Sequence, residues 1–200
     1  MSAAGSSRTP FSIGVLVLGG GAALGMLFIA VGYLLPTDWE ARAERVVGLP
    51  ADVVFRYLDS PEGWRDWTAW PESGVERSGP PRGEGATLAW DDPELGSGSF
   101  TLTRVVPSER VAYRVEVEGT MLTEGEITLA EESAGLRVTW LERGDLGRNP
   151  LMGWWGLSME RAQSNELAKG LERLEAAVAE GQRLAAPSDS APAVDDAHVH

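Results

Sequence analysis

The side chains able to do chemistry in this sequence are few, and most are carboxylates on segments that read as β-strands. Glu124, Glu126, Glu142 and Asp145 are the acid–base candidates. Glu124 and Glu126 alternate with Thr123, Gly125 and Ile127, so the two-residue period of a strand turns them outward. Glu142 shares the parity of Val138 and Trp140 and is aimed at the apolar face near the strand's end. A carboxylate held among apolar side chains has a raised pKa and can give or take a proton, which makes Glu142 the one weak catalytic candidate. Arg104 shares the parity of Phe100, Leu102 and Val106. That pattern brings its charge to the same face, where it would meet an anionic headgroup, or to the rim with its stem buried.

What is missing narrows the chemistry further. The absence of cysteine removes disulfides, thiolate nucleophiles and Cys-based metal sites. Both histidines, His198 and His200, lie at the extreme C-terminus, so the packed part of the chain cannot build a Ser-His-Asp triad or a His-rich metal site. With Asp195 and Asp196 they read as part of a solvated tail, and neither a metal nor a cofactor is expected. The chain carries 17 basic and 30 acidic side chains, a net charge of -13. That charge repels phosphate backbones and excludes a nucleic-acid partner. Almost all of it belongs to residues 37–184, since only Arg8, Asp189, Asp195 and Asp196 fall outside them.

Against these absences stand eight tryptophans. Large aromatics bring apolar area and an N–H donor and can line a ligand cavity. Trp90, Leu102, Tyr113, Val115, Trp140, Trp155 and Met159 are the cavity candidates, with ordinary core packing as the competing reading. Trp64 and Trp67 read as residues that close the fold. Trp39, just beyond an apolar run, reads as a membrane-interface residue.

The elements that must position these residues follow from periodicity. Ala41–Leu49 reads as a strand, and Ala51–Leu58 as a short helix started by Pro50 and Asp52. Ser60 is a candidate N-cap with Pro61 in the first turn of a second helix. Ala86–Asp91, Gly98–Val106, Arg110–Glu118, Met121–Ala130 and Leu136–Arg143 alternate apolar and polar residues between short turns. That is the pattern of an antiparallel sheet with one buried face. Leu151–Leu184 reads as one long helix without proline, whose apolar stripe runs through Met152, Trp155, Met159, Leu167, Leu171, Leu174 and Val178. The fold class is therefore α+β, a curved antiparallel sheet wrapped around a long C-terminal helix.

Phe11–Leu35 contains no charged side chain and is long enough, at ~1.5 Å per residue, to cross a ~30 Å hydrocarbon core. It exceeds the apolar region of a signal peptide and reads as an uncleaved transmembrane anchor. Its Lys/Arg flanks, Arg8 against Arg42 and Arg45, do not set the orientation. The reading adopted places the short tail in the cytoplasm and the domain outside it. Gly21 and Gly25 form a GxxxG through which two anchors could pair as a weak homodimer, although a single anchor is the simpler reading. The domain organisation is thus a tail over 1–10, an anchor over 11–35, a folded domain over 37–184 and a disordered tail over 185–200.

Leu49-Pro50-Ala51-Asp52-Val53-Val54-Phe55, followed by Pro61-Glu62-Gly63-Trp64-Arg65-Asp66-Trp67, resembles the opening of START-like, helix-grip proteins of the SRPBCC or polyketide cyclase/dehydrase superfamily. Arg137-Val138-Thr139-Trp140, Gly144-Asp145 and the helix Asn165–Leu174 match the closing part of that pattern in order and spacing. A single anchor before such a domain is similar to one subgroup of these proteins. The resemblance implies a deep, mostly apolar cavity between sheet and helix that takes lipids or other hydrophobic molecules. It carries over no catalytic residue. The expected function is a membrane-anchored module holding a hydrophobic small molecule or lipid. Two alternatives stand beside it, a cyclase- or hydratase-type enzyme using a cavity carboxylate and a scaffold with a filled interior.

Overall fold

The computed structural model describes residues 11–71, 74–93, 96–118, 121–146 and 149–185, without the side chains of 11–18, 153 and 155–158. The tails expected over 1–10 and 185–200, with His198 and His200, lie outside the described residues apart from Ala185. In chain order the elements are α1 (Phe11–Leu34), β1 (Asp38–Val47), α2 (Ala51–Phe55), α3 (Pro61–Arg65), β2 (Val75–Ser78), β3 (Thr87–Asp92), β4 (Gly96–Val106), β5 (Arg110–Val117), β6 (Met121–Glu132), β7 (Gly135–Asp145) and α4 (Pro150–Ala185).

The seven strands form one antiparallel sheet in the order β1-β7-β6-β5-β4-β3-β2. Strands β2 to β7 follow one another as a meander, and β1 returns to pair with the last of them. The side chains behave as the alternation requires. Val111 and Tyr113 on β5, Ile127 and Leu129 on β6, and Leu136, Val138 and Trp140 on β7 are buried on one face. Leu167, Leu171, Leu174 and Val178 of α4 are buried in the same core, so the helix supplies the cover that an apolar sheet face needs. The short helices close the fold. Ser60 accepts a hydrogen bond from the Gly63 N–H (3.2 Å) and caps α3, which delivers Trp64 and Trp67 to the core.

Three details depart from the expectations. Strand β1 begins at Asp38 rather than Ala41, so Trp39 falls on the inward parity of Ala41 and Ala43. It is only 6% exposed and its indole covers Gly144 of β7; it is a core residue and not an interfacial one. Second, β4 carries a bulge between Leu102 and Arg104. The extra residue reverses the parity beyond it: Arg104 is exposed, and Val105 packs against the core in its place. Arg104 therefore puts no charge in the interior. Third, the short strand β2 pairs with β3 at the sheet edge.

Helix α1 covers most of the run expected to span a membrane, and its last turns rest on the start of α4. The Phe28 and Trp154 rings stack with centroids 4.7 Å apart, and the Trp154 indole N–H donates to the Phe28 carbonyl (3.1 Å). Among the described residues no helix is long and apolar enough to cross a membrane; the described side chains of α1 begin at Gly19. Gly21 and Gly25 meet nothing nearby in a single chain.

Candidate functional site

Glu142 ends the inward-facing series of β7, and the register of the sheet explains its surroundings. Along one row of the sheet lie Ala41 on β1, Glu142 on β7, Gly125 on β6 and Tyr113 on β5. Tyr113 and Glu142 are thus two strands apart, roughly 10 Å across the sheet. Gly125 is what lets them meet: the Tyr113 ring lies over it, where a Cβ would collide with the ring and the hydroxyl. The Tyr113 O–H donates to Glu142 Oε1, and the Trp140 indole N–H donates to the Tyr113 oxygen (2.7 Å). From above the sheet, α4 brings the Gln163 side-chain amide to Glu142 Oε2 (2.7 Å).

Every donor in this chain points, directly or in relay, at one carboxyl group. Burial pushes the Glu142 carboxyl above its ordinary pKa, and the hydrogen bonds from Tyr113 and Gln163 oppose that push. Burial also holds the Tyr113 hydroxyl well above its ordinary value, helped by the neighbouring Glu142 charge, so Tyr113 stays protonated and acts as a donor. Among the described residues no Lys or Arg pairs with Glu142, and its hydrogen-bond partners are neutral.

The cluster forms part of the wall of a cavity of about 330 Å³. Trp64, Trp70, Trp90, Phe100, Tyr113 and Trp140 supply its aromatic lining, with Val115 and Val117 toward the end of β5. The rings hold one another at edge-on or tilted angles, Trp64 to Tyr113 at 4.7 Å and Trp70 to Trp90 at 6.0 Å. Two of their donors are engaged away from the carboxyl group: Trp64 donates to the Leu58 carbonyl (2.8 Å) and Trp70 to the Thr68 hydroxyl (2.6 Å). The cavity offers mostly apolar faces, with Thr68 and the Glu142 carboxyl among its lining. A hollow of about 600 Å³ beside Arg56, Glu62, Arg65 and Arg82 is polar and lies away from this chemistry.

Of the residues singled out from the sequence, Trp90, Tyr113, Val115, Trp140 and Glu142 line this one cavity. Leu102 is fully buried in the core and does not reach it, and half-buried Met159 packs against the core elsewhere. The Trp155 side chain lies outside the described residues. Glu124 and Glu126 face outward, close to Arg114 and Arg110. Sequence reasoning missed Trp70, Phe100 and Gln163, and it gave Trp64 to the core alone. Trp64 is in fact both buried and a wall of the cavity. The period of the tryptophans, 64, 67 and 70, was the available signal. Nothing in the sequence pairs Gln163 with a strand.

A curved antiparallel sheet closed on a long C-terminal helix, with an aromatic cavity between the sheet and residues 64–71, is the arrangement of a helix-grip fold. A family model for polyketide cyclase/dehydrase and lipid transport proteins matches residues 38–179, and the chain belongs to that family. None of the curated proteins matches it. Solved structures share the fold. A protein of unknown function from Staphylococcus aureus has a TM-score of 0.57 at 12% identity over 73% of this chain and 96% of its own. An uncharacterized protein from Rhizobium leguminosarum has 0.50 at 19% identity over 72% and 95%. DynU16, a protein of the dynemicin biosynthetic locus, has 0.51 at 18% identity, over 71% of this chain and 48% of DynU16.

Proposed function

We propose that this chain is a membrane-anchored binding module that holds one hydrophobic small molecule in the aromatic cavity between the sheet and residues 64–71. The aromatic cavity itself carries the reading. Its volume of about 330 Å³ falls at the lower end of the range of about 300–1,000 Å³ for small-molecule sites, and its walls are apolar but for Thr68 and Glu142. Such a space suits a compact ring system better than a two-chain lipid.

The anchor part of the proposal rests on α1. No charged side chain interrupts Phe11–Leu34, and Leu24, Met26, Leu27, Phe28, Ile29, Tyr33 and Leu34 are exposed apolar residues that a bilayer would cover. Trp90 and Val117 of the cavity wall share one row of the sheet, because Gly98 pairs with both. That is the end of the sheet at which α1 hands over to β1.

Native mass spectrometry of the full chain, released from detergent after mild extraction, tests the binding function. A retained small molecule is expected, and Val115→Trp, which fills the cavity, should release it. No retained ligand together with no thermal shift across a panel of hydrophobic compounds would remove the proposal. A second reading, an enzyme of the cyclase or hydratase type, is favoured by one observation: the cavity contains a buried carboxyl, Glu142, with a raised pKa. Turnover of the retained molecule that Glu142→Gln abolishes while leaving its binding intact would select that reading.

A further inference from the structure

We infer that the ligand of this cavity is an organic cation, an apolar body carrying a protonated or quaternary amine that docks against Glu142 within the ring of aromatic side chains. The inference deepens the binding function proposed above and rests on it. It starts from an imbalance. Each element around Glu142 brings it a neutral group: Ala41 from β1, Gly125 from β6, Tyr113 from β5 and Gln163 from α4. Of these only Tyr113 can titrate. Buried carboxylates are ordinarily paired with a cation, and this one has none among the described residues.

The missing positive charge can come from what fills the cavity. A carboxylate has about four lone-pair sites, and Tyr113 and Gln163 occupy one on each oxygen, which leaves acceptor capacity for a ligand N–H or a close ionic contact. The rest of the wall suits the same guest. The negative faces of Trp, Tyr and Phe rings attract cations, and cages of such rings are a recurrent way to hold a quaternary ammonium. Trp64, Trp70, Trp90, Phe100, Tyr113 and Trp140 surround this cavity. The indole N–H groups of Trp64, Trp70 and Trp140 are taken up in bonds with Leu58, Thr68 and Tyr113. Long-range electrostatics points the same way, because a net charge of -13 concentrates cations near the protein and repels anions. The bulge that turns Arg104 outward removes the one group that would have suited an anionic headgroup.

Three phenyl probes read the inference on the full chain in nanodiscs: benzyltrimethylammonium, its neutral isostere neopentylbenzene, and phenylacetate. Calorimetric titration should show the cation binding at least tenfold more tightly than the neutral isostere, with phenylacetate weakest. Binding of the cation should also release a proton in proportion to the protonated fraction of Glu142, read as a heat that depends on the buffer. Glu142→Gln should erase both the tenfold preference and the proton release. Equal affinity for cation and isostere would overturn the cation inference and leave the apolar-cavity function standing. No binding of any probe, with no ligand retained in native mass spectrometry, would overturn both. Should Glu142→Gln fail to fold, the wild-type preference and proton release still decide the matter.

Discussion

The Tyr113–Glu142 contact couples cavity chemistry to the stability of the fold. Glu142's pKa in the folded state lies above its unfolded value, so the folded state holds the proton more tightly. The stability this contributes is complete below the unfolded value of about 4.3 and is lost as pH rises through the folded one. Thermal unfolding across that window should show wild-type stability falling relative to Glu142→Gln, which has no proton to lose. A constant difference between the two would show that Glu142 is not held in this environment. Tyr113→Phe acts on the same contact from the other side. It leaves the Trp140 N–H and one carboxylate oxygen without their partner, at a cost of about 1–3 kcal/mol, measurable by urea denaturation. It also removes a hydrogen bond that lowers the Glu142 pKa, so the pH window should extend upward.

At the scale of elements, glycines decide whether the aromatic wall can form. Trp140 projects from β7 onto α4, and a Cβ at Gly170 would collide with its ring. In an exposed helix Gly→Ala gains about 1 kcal/mol. Here Gly170→Ala should instead destabilise by about 1–3 kcal/mol, because the helix must lift off the sheet or Trp140 must leave its rotamer. Chemical denaturation gives the sign, and a stabilised variant would mean that α4 does not press on Trp140. The same facts mark what could be read from the sequence. Strict alternation in β5 and β7 and the Leu167–Val178 stripe are local patterns with one dominant period, and they were legible along with the inward parity of Glu142. The β4 bulge is not local: a single inserted residue reverses the parity, so Arg104 looked inward and Val105 outward. Nor does a sequence show that Gly125 clears the path from Tyr113 to Glu142, because that depends on two strand registers at once. Trp39 was misplaced through one boundary, since a strand beginning three residues earlier turns an interface residue into a core one.

For the whole molecule, the issue is what holds α1 to the domain and what it does there. The contact is specific: the Phe28–Trp154 stack, the hydrogen bond between them, and Gly32 lying so close to the Pro150 carbonyl that no side chain would fit. Such a contact fixes the sheet relative to the axis of α1, which a flexible tether would not do. With α1 in a bilayer, Trp90 and Val117 would lie toward the membrane, since they are at the end of the sheet where β1 begins. The domain's charge cannot bring it there, since anionic headgroups repel it. On the proposed reading, attachment rests on the apolar character of α1 alone. Replacing Ala22 and Ala23, both exposed and near the middle of α1, with arginine adds about 2.5–3.5 kcal/mol of insertion cost per residue. The full wild-type chain should stay with the membrane pellet through alkaline carbonate extraction, and the double variant should move to the supernatant. Equal retention of the two would show that α1 is not the anchor. The cavity and its carboxylate would then serve a ligand met in water.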